Sequence, residues 1–214
     1  MDEKLIKPIN VSARNILEAK HIFESFSYFT TGVRVLFLIH RSKEGGETNN
    51  SKFRKIITRT KKEYLEELEK LVVECNESEL PLRIYGAVNE RDVEKAIRQF
   101  KGEQLDADYF DTESKHSFYL DCKNRFLGSL MSPNSRVKGN ASFLIDIDGD
   151  KDTIAGVLQL IPPEVEIIKQ YPTKNGWHIV VKPFNVALME KVESPFSKDF
   201  EIKKDGLLLL KFKV

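Results

Sequence analysis

The sequence predicts an α+β protein made of two successive units, an N-terminal α/β module over residues 1–140 and a second unit over residues 141–214. Three observations carry this expectation. Between residues 33 and 100, strand-like apolar runs alternate with amphipathic helical patterns. At the start of the second unit, the apolar run Phe143-Leu144-Ile145 continues into Asp146-Ile147-Asp148. A further apolar run then opens on Gly176-Trp177-His178.

Residues 1–12 form a polar lead-in, and residues 13–29 place Ile16, Ala19, Phe23 and Phe26 at helical spacing. VRVLFLIH, residues 33–40, is apolar and β-branched, the pattern of a buried strand. The polar, glycine-containing, basic stretch over residues 41–62 reads as a loop. Residues 61–75 are an amphipathic helix with charges paired at i,i+4. LPLRIYGAVN, residues 80–89, predicts a strand, and Asn89 is placed to cap the helix that follows. Phe118, Cys122, Phe126 and Leu130 keep helical spacing, and residues 131–140 predict a loop.

In the second unit, residues 142–148 predict a strand, GDKD a capped turn, and TIAGVLQLI a short helix stopped by Pro162-Pro163. Periodicity leaves residues 164–172 open between a strand and a helical turn. Residues 176–184 predict a strand whose Pro183 marks an edge, and two short strands flank Asp205-Gly206. The chain holds no internal repeat, no low-complexity segment and no glycine-rich phosphate loop.

Composition narrows the classes. At 214 residues with 41% hydrophobic content, the chain can bury a core without staples. Lys and Arg total 34 against 33 acids, so any nucleic-acid surface is local rather than global. Cys75 and Cys122 fit neither a disulfide framework nor, with His21, His40, His116 and His178, a zinc site. Without a secretory h-region or a membrane-length apolar run, the expectation is a soluble, cytoplasmic protein with no membrane partner.

Asp146 and Asp148 stand at i and i+2, so in a strand they project from one face. Two hard anionic oxygens at a strand's end suit Mg2+ or Mn2+. Capping of the following turn would account for Asp148 or Asp150, but poorly for Asp146, which lies inside the apolar run. His178 gains weight from Thr173, Lys174, Asn175 and Gly176 just before it, which supply a hydroxyl, a cation, an amide and a close backbone approach for an anion. His178, Val180 and Lys182 share one strand face, so Lys182 joins the expected phosphate site. Lys52, Arg54, Lys55, Arg59, Lys61 and Lys62 follow one another with no intervening acid, a basic arm able to meet phosphates or simply a solvated loop.

The apolar run ending in Asp-x-Asp, followed by small-x-His on a later strand, resembles the catalytic signature of the archaeo-eukaryotic primase, or primase-polymerase, superfamily. Phe143–Asp148 and Gly176–His178 carry the resemblance, which covers residues 141–212 best. It implies a core resembling an RNA-recognition motif, with Asp146 and Asp148 on divalent metal ions and His178 on the phosphates of a nucleoside triphosphate. It implies a single-stranded DNA or other nucleic-acid template. The family's third element, an apolar residue followed by Asp, is matched in order by Asp205, which here follows lysine; Asp199 and Asp150 are alternatives. The chain lacks the zinc-binding residues of the cellular primase small subunits, and a replicative helicase would be a separate partner. The same text echoes the first motif of the haloacid-dehalogenase phosphatases, but too little chain follows it, and the LAGLIDADG endonucleases, where the acid ends a helix. A rival of another class is a non-catalytic, nucleic-acid-binding replication accessory that keeps the fold.

Overall fold

The computed structural model describes residues 11–24, 29–40, 53–109, 112–173, 175–190, 195–196 and 198–212. The protein is α+β, with two antiparallel four-stranded sheets. The first sheet contains β1 (Arg34–His40), β2 (Phe53–Thr58), β3 (Leu82–Ala87) and β8 (Leu207–Phe212), in the order β2-β1-β3-β8. The second contains β4 (Phe143–Asp148), β5 (Ile167–Pro172), β6 (Gly176–Val181) and β7 (Phe200–Lys203), in the order β5-β6-β4-β7. The helices are α1 (Val11–Glu24), α2 (Lys61–Glu77), α3 (Val93–Tyr109), α4 (Thr112–Leu120), α5 (Cys122–Met131), α6 (Lys151–Leu160) and the short α7 (Ala187–Glu190). Among the described residues, no helix is long and apolar enough to cross a membrane. Neither cysteine is in a disulfide.

The first module departs from the expected strand–helix alternation because the basic stretch is not all loop. Phe53-Arg54-Lys55-Ile56-Ile57-Thr58 pairs along β1 as an edge strand. Lysine and arginine on such a strand discourage further pairing, and they hide its apolar alternation from a sequence reading. α2 then links β2 to β3, which flank β1 on opposite sides, both antiparallel to it. Thr60 caps α2 by accepting from the Glu63 amide at 3.1 Å, while the Glu63 carboxylate accepts from the Arg59 amide at 2.7 Å.

Asn89 is not the cap of α3. That role falls to Asp92, which accepts from the Lys95 amide at 3.1 Å. Asn89 instead spans the two units, accepting from the Ser142 amide at 2.7 Å and donating to the Ser142 carbonyl at 3.1 Å. β6 lies between β5 and β4, so it is interior, and it ends at Val181 before Pro183.

β7 and β8 are consecutive strands in different sheets. The turn through Asp205-Gly206 carries the chain from β4's edge to β3's edge, so residues 207–212 belong to the first sheet rather than to the second unit. Gly206 passes close to Leu144; a Cβ there would lie 3.0 Å from its Cδ2. The two sheets share one core. Leu36, Leu38, Ile84, Leu208 and Leu210 meet Tyr64 and Leu68 of α2 and also Leu144, Val180 and Tyr171 of the second sheet. Leu144 is fully buried in this junction, a burial that contributes about 1.5–3 kcal/mol.

Period-two alternation then sorts the second sheet. Phe143, Ile145 and Ile147 turn to α6, packing on Ile154, Val157 and Ile161. Leu144, Asp146 and Asp148 turn to the other face. Leu144 is absorbed by the shared core, and the two acids continue past it to a cleft between the sheets.

Candidate functional site

The cleft encloses about 590 Å³ and lies between the two sheets. Asp146, Asp148, His178, Glu201 and Lys203 line it from the second sheet, and Arg83, Tyr85 and Ile39 from the first. Strand register brings the polar group together. Asp146 pairs with His178 across β6 on one side and with Glu201 across β7 on the other. Directly paired residues share a face, so one row across three strands reads His178, Asp146, Glu201.

Asp146 is the centre of this row. Its Oδ1 lies 3.1 Å from His178 Nε2, and its Oδ2 lies 2.6 Å from Lys203 Nζ. The hydrogen bond from His178 holds the Asp146 carboxyl well below the usual carboxylate range; partial burial opposes this, and the Lys203 contact reinforces it. Lys203 also lies 3.2 Å from Glu201 Oε2. Burial works against the Lys203 ammonium, but its bonds to Asp146 and Glu201 outweigh burial and raise its pKa.

His178 is buried, and its Nδ1 lies 3.0 Å from the hydroxyl of buried Tyr171. An ionised Asp146 only accepts, so Nε2 carries a proton. Burial, and secondarily the Asp146 charge, push the Tyr171 phenol far upward, so its hydroxyl stays protonated beside Nδ1. Tyr171, His178, Asp146 and Lys203 thus form one continuous chain of hydrogen bonds. Both nitrogens of His178 are engaged inside the protein, which differs from the expected direct phosphate contact. The buried ring instead orients Asp146.

Asp148, at the end of β4, is exposed in the cleft, and Thr173 and Asn175 line the same end. Gly176 pairs with Asp148, and a Cβ at Gly176 would collide with the Ile147 carbonyl. The small residue of the small-x-His pattern is therefore required by the close approach of β6 to β4. Lys182 lies beyond the end of β6, exposed and away from the cleft lining. It stands four positions beyond His178, about 13 Å along the chain at normal strand rise. Lys174 and Lys52 lie outside the described residues.

Asp205 departs from its expected role. Its carboxylate receives two bonds from Arg91, Nη1 to Oδ2 at 2.7 Å and Nη2 to Oδ1 at 2.6 Å, and a third from Asn89 at 3.2 Å. Arg91 is fully buried, so withdrawing Asp205 to serve a metal would strand a buried cation. Asp205 borders the cleft but acts as a latch between units, and its turn leads into the first sheet rather than beside Asp146. Asp150 is likewise engaged, capping α6 through the Thr153 amide at 3.0 Å and the Asp152 amide at 3.2 Å. Asp199 gives its carbonyl to the Asp148 amide at 2.9 Å.

Among the described residues, the basic arm is divided between β2, a turn and the start of α2. Arg54 turns to the α2 side and pairs with Glu74 at 3.1 Å. Lys55 stands opposite Phe37, which in turn pairs with Tyr85, placing Lys55 on the cleft-side face. Lys61 and Lys62 open α2, with Lys62 3.8 Å from Glu66, and Arg59 lies in the exposed turn before it.

Glu201, Lys203 and Tyr171 were not singled out by the sequence. Phe200-Glu201 does repeat an apolar-then-acid pattern on a late strand, while Lys203 and Tyr171 become visible only through cross-strand register. Among the described residues, no three His, Cys, Asp or Glu side chains converge in the arrangement of a metal site. Asp146, Asp148 and Glu201 nevertheless offer hard carboxylate oxygens to one cleft, the donor chemistry of a small divalent cation, with Lys203 on the central acid. Comparison with protein-family models, curated proteins and solved structures returned no match to this chain.

Proposed function

We propose that this protein is a primase/polymerase-type nucleotidyltransferase that uses Mg2+ or Mn2+, nucleoside triphosphates and a single-stranded nucleic-acid template. The observation that carries the reading is the row of His178, Asp146 and Glu201 across three adjacent strands, with Asp148 two residues along, opening on a cleft. The strand order β5-β6-β4-β7, with α6 after β4 and α7 after β6, supports a core of the RNA-recognition-motif kind. Phe200-Glu201 supplies the third apolar–acid element that Asp205 does not.

Asp146, Asp148 and Glu201 would hold the metal. When bound, a divalent cation there would neutralise charge on the attacking and leaving oxygens of a phosphoryl transfer. The chain's own contribution is positional. Tyr171 fixes the ring of His178, and His178 holds one oxygen of Asp146, so the central carboxylate meets its ligand already oriented. Thr173 and Asn175 line the acidic end of the cleft with a hydroxyl and an amide. Lys55 and Tyr85 on the facing sheet give a cation and a flat ring beside the path a single strand would follow. A replicative helicase would be a separate partner.

A second reading, a nucleic-acid-binding accessory without catalysis, is favoured by the Lys203 ammonium on Asp146, because it occupies the oxygen a metal requires. Primer synthesis and extension on single-stranded DNA, with ribo- and deoxyribonucleoside triphosphates and manganese, separates the two. The enzyme reading expects product that disappears when Asp146→Asn and Asp148→Asn are combined, with manganese binding lost and the fold retained. Template binding without product, and manganese affinity unchanged in the double variant, would establish the accessory reading.

A further inference from the structure

We propose that Lys203 is the site's own exchangeable cation, bound to Asp146 in the metal-free protein and handed to the phosphate chain of the substrate when a divalent cation takes its place. The inference rests on the reading above and adds how the site passes between its two charge states.

The geometry comes from β7. Lys203 pairs with Leu144, and Glu201 with Asp146, so the lysine stem must reach diagonally along the sheet to bring Nζ to Asp146. It ends 2.6 Å from Asp146 Oδ2 and 3.2 Å from Glu201 Oε2. A single ammonium therefore sits between two of the three acids that would hold a metal. The other Asp146 oxygen faces His178, which Tyr171 fixes from behind. The acid is held from its buried side and covered by a movable cation on its open side.

Exchange follows from charge and flexibility. A divalent cation brought to Asp146 Oδ2 competes for the same lone pairs and repels the ammonium across a few ångströms. Lys203 is one-third exposed, contacts each acid through one atom, and has a flexible four-carbon stem. The protein's permanent pair is built differently. Arg91 is fully buried and holds Asp205 through both terminal guanidinium nitrogens, Nη1 and Nη2. Once displaced, the ammonium remains tethered to β7 in the cleft, where a polyphosphate carried by the metal is its nearest new anion.

Manganese titration followed by electron paramagnetic resonance tests the exchange, using the full chain, Lys203→Met and Lys203→Arg, with circular dichroism confirming the fold. Lys203→Met is expected to bind manganese roughly fivefold more tightly than the unaltered protein, the loss of a competing exposed pair. Lys203→Arg, which keeps the competing charge, is expected to resemble the unaltered protein. The manganese-loaded Lys203→Met variant is then expected to bind inorganic tripolyphosphate several-fold more weakly. Equal or weaker manganese affinity in Lys203→Met overturns the exchange, and unchanged tripolyphosphate affinity overturns the transfer to phosphate. The unaltered protein's own titration decides the underlying metal reading, because failure to bind manganese there sinks that reading as well.

Discussion

Two ion pairs border the same cleft and are built to opposite ends. Arg91 and Asp205 join through two parallel bonds, with side-chain exposures of 0% and 9%. Lys203 and Asp146 join through one bond of similar length, with exposures of 33% and 27%. The bidentate, buried pair fixes the chain where it crosses from the second sheet to the first, and Asn89 adds bonds to both Asp205 and Ser142. The single, accessible pair joins a flexible cation to an acid that is held from behind. One geometry suits permanence and the other suits exchange, although the sequence spells both as a base and an acid.

The largest expected effect sharpens that contrast. Arg91→Ala should lower unfolding free energy by about 3–5 kcal/mol, because it leaves the largely buried Asp205 carboxylate without its charged partner and opens the crossing between the sheets. Lys203→Met should change it by less than about 1 kcal/mol, the range of exposed pairs. Urea unfolding of both variants measures the difference. Equal losses would erase the distinction between latch and exchangeable pair.

A smaller effect is expected behind Asp146. Tyr171→Phe removes the hydroxyl from Nδ1 of buried His178 and should cost about 1–2 kcal/mol, the cost of leaving a buried polar nitrogen without its partner. The more telling readout is spectroscopic. The side-chain nitrogen shifts of His178 should report a single Nε2-protonated tautomer in the unaltered protein and a mixture in the variant. A ring already mixed before substitution would mean that Tyr171 does not position it.

These residues also show what was legible in advance. Asp146, Asp148 and His178 could be found because each depends only on local spacing: an i,i+2 acid pair in an apolar run, and a histidine at the start of another. The helical patterns that give α1, α2, α5 and α6 are local in the same sense. Glu201, Lys203 and Tyr171 could not be found this way, since each enters the site through pairing between strands far apart in sequence. Asp205 was misplaced for a related reason. It stands next to β7 in sequence, but sheet membership depends on where the chain goes next, and the apolar β8 is drawn to the first sheet by Tyr64, Leu68 and Ile84. β2 was obscured because the charges that protect an edge strand also make it read as a loop.

The smallest expected effect lies on β2 and tests whether the cleft's facing sheet receives a nucleic-acid strand. Arg54 and Lys55 are neighbours in sequence with similar charge, so a basic loop would make them interchangeable. Alternation in a strand separates them. Arg54 is held by Glu74 on the α2 side, whereas Lys55 stands in the row that continues through Phe37 to Tyr85. If single-stranded DNA enters along that face, Lys55→Ala removes one phosphate contact, and the slope of log affinity against log salt should fall by about 0.7. Arg54→Ala should leave the slope unchanged, since its side chain lies against Glu74 on the opposite face of the strand. Fluorescence anisotropy over a salt series reads both. Equal changes would mean that the strand's two faces do not sort the charges for binding, and Tyr85 would then lose its place on the strand's path.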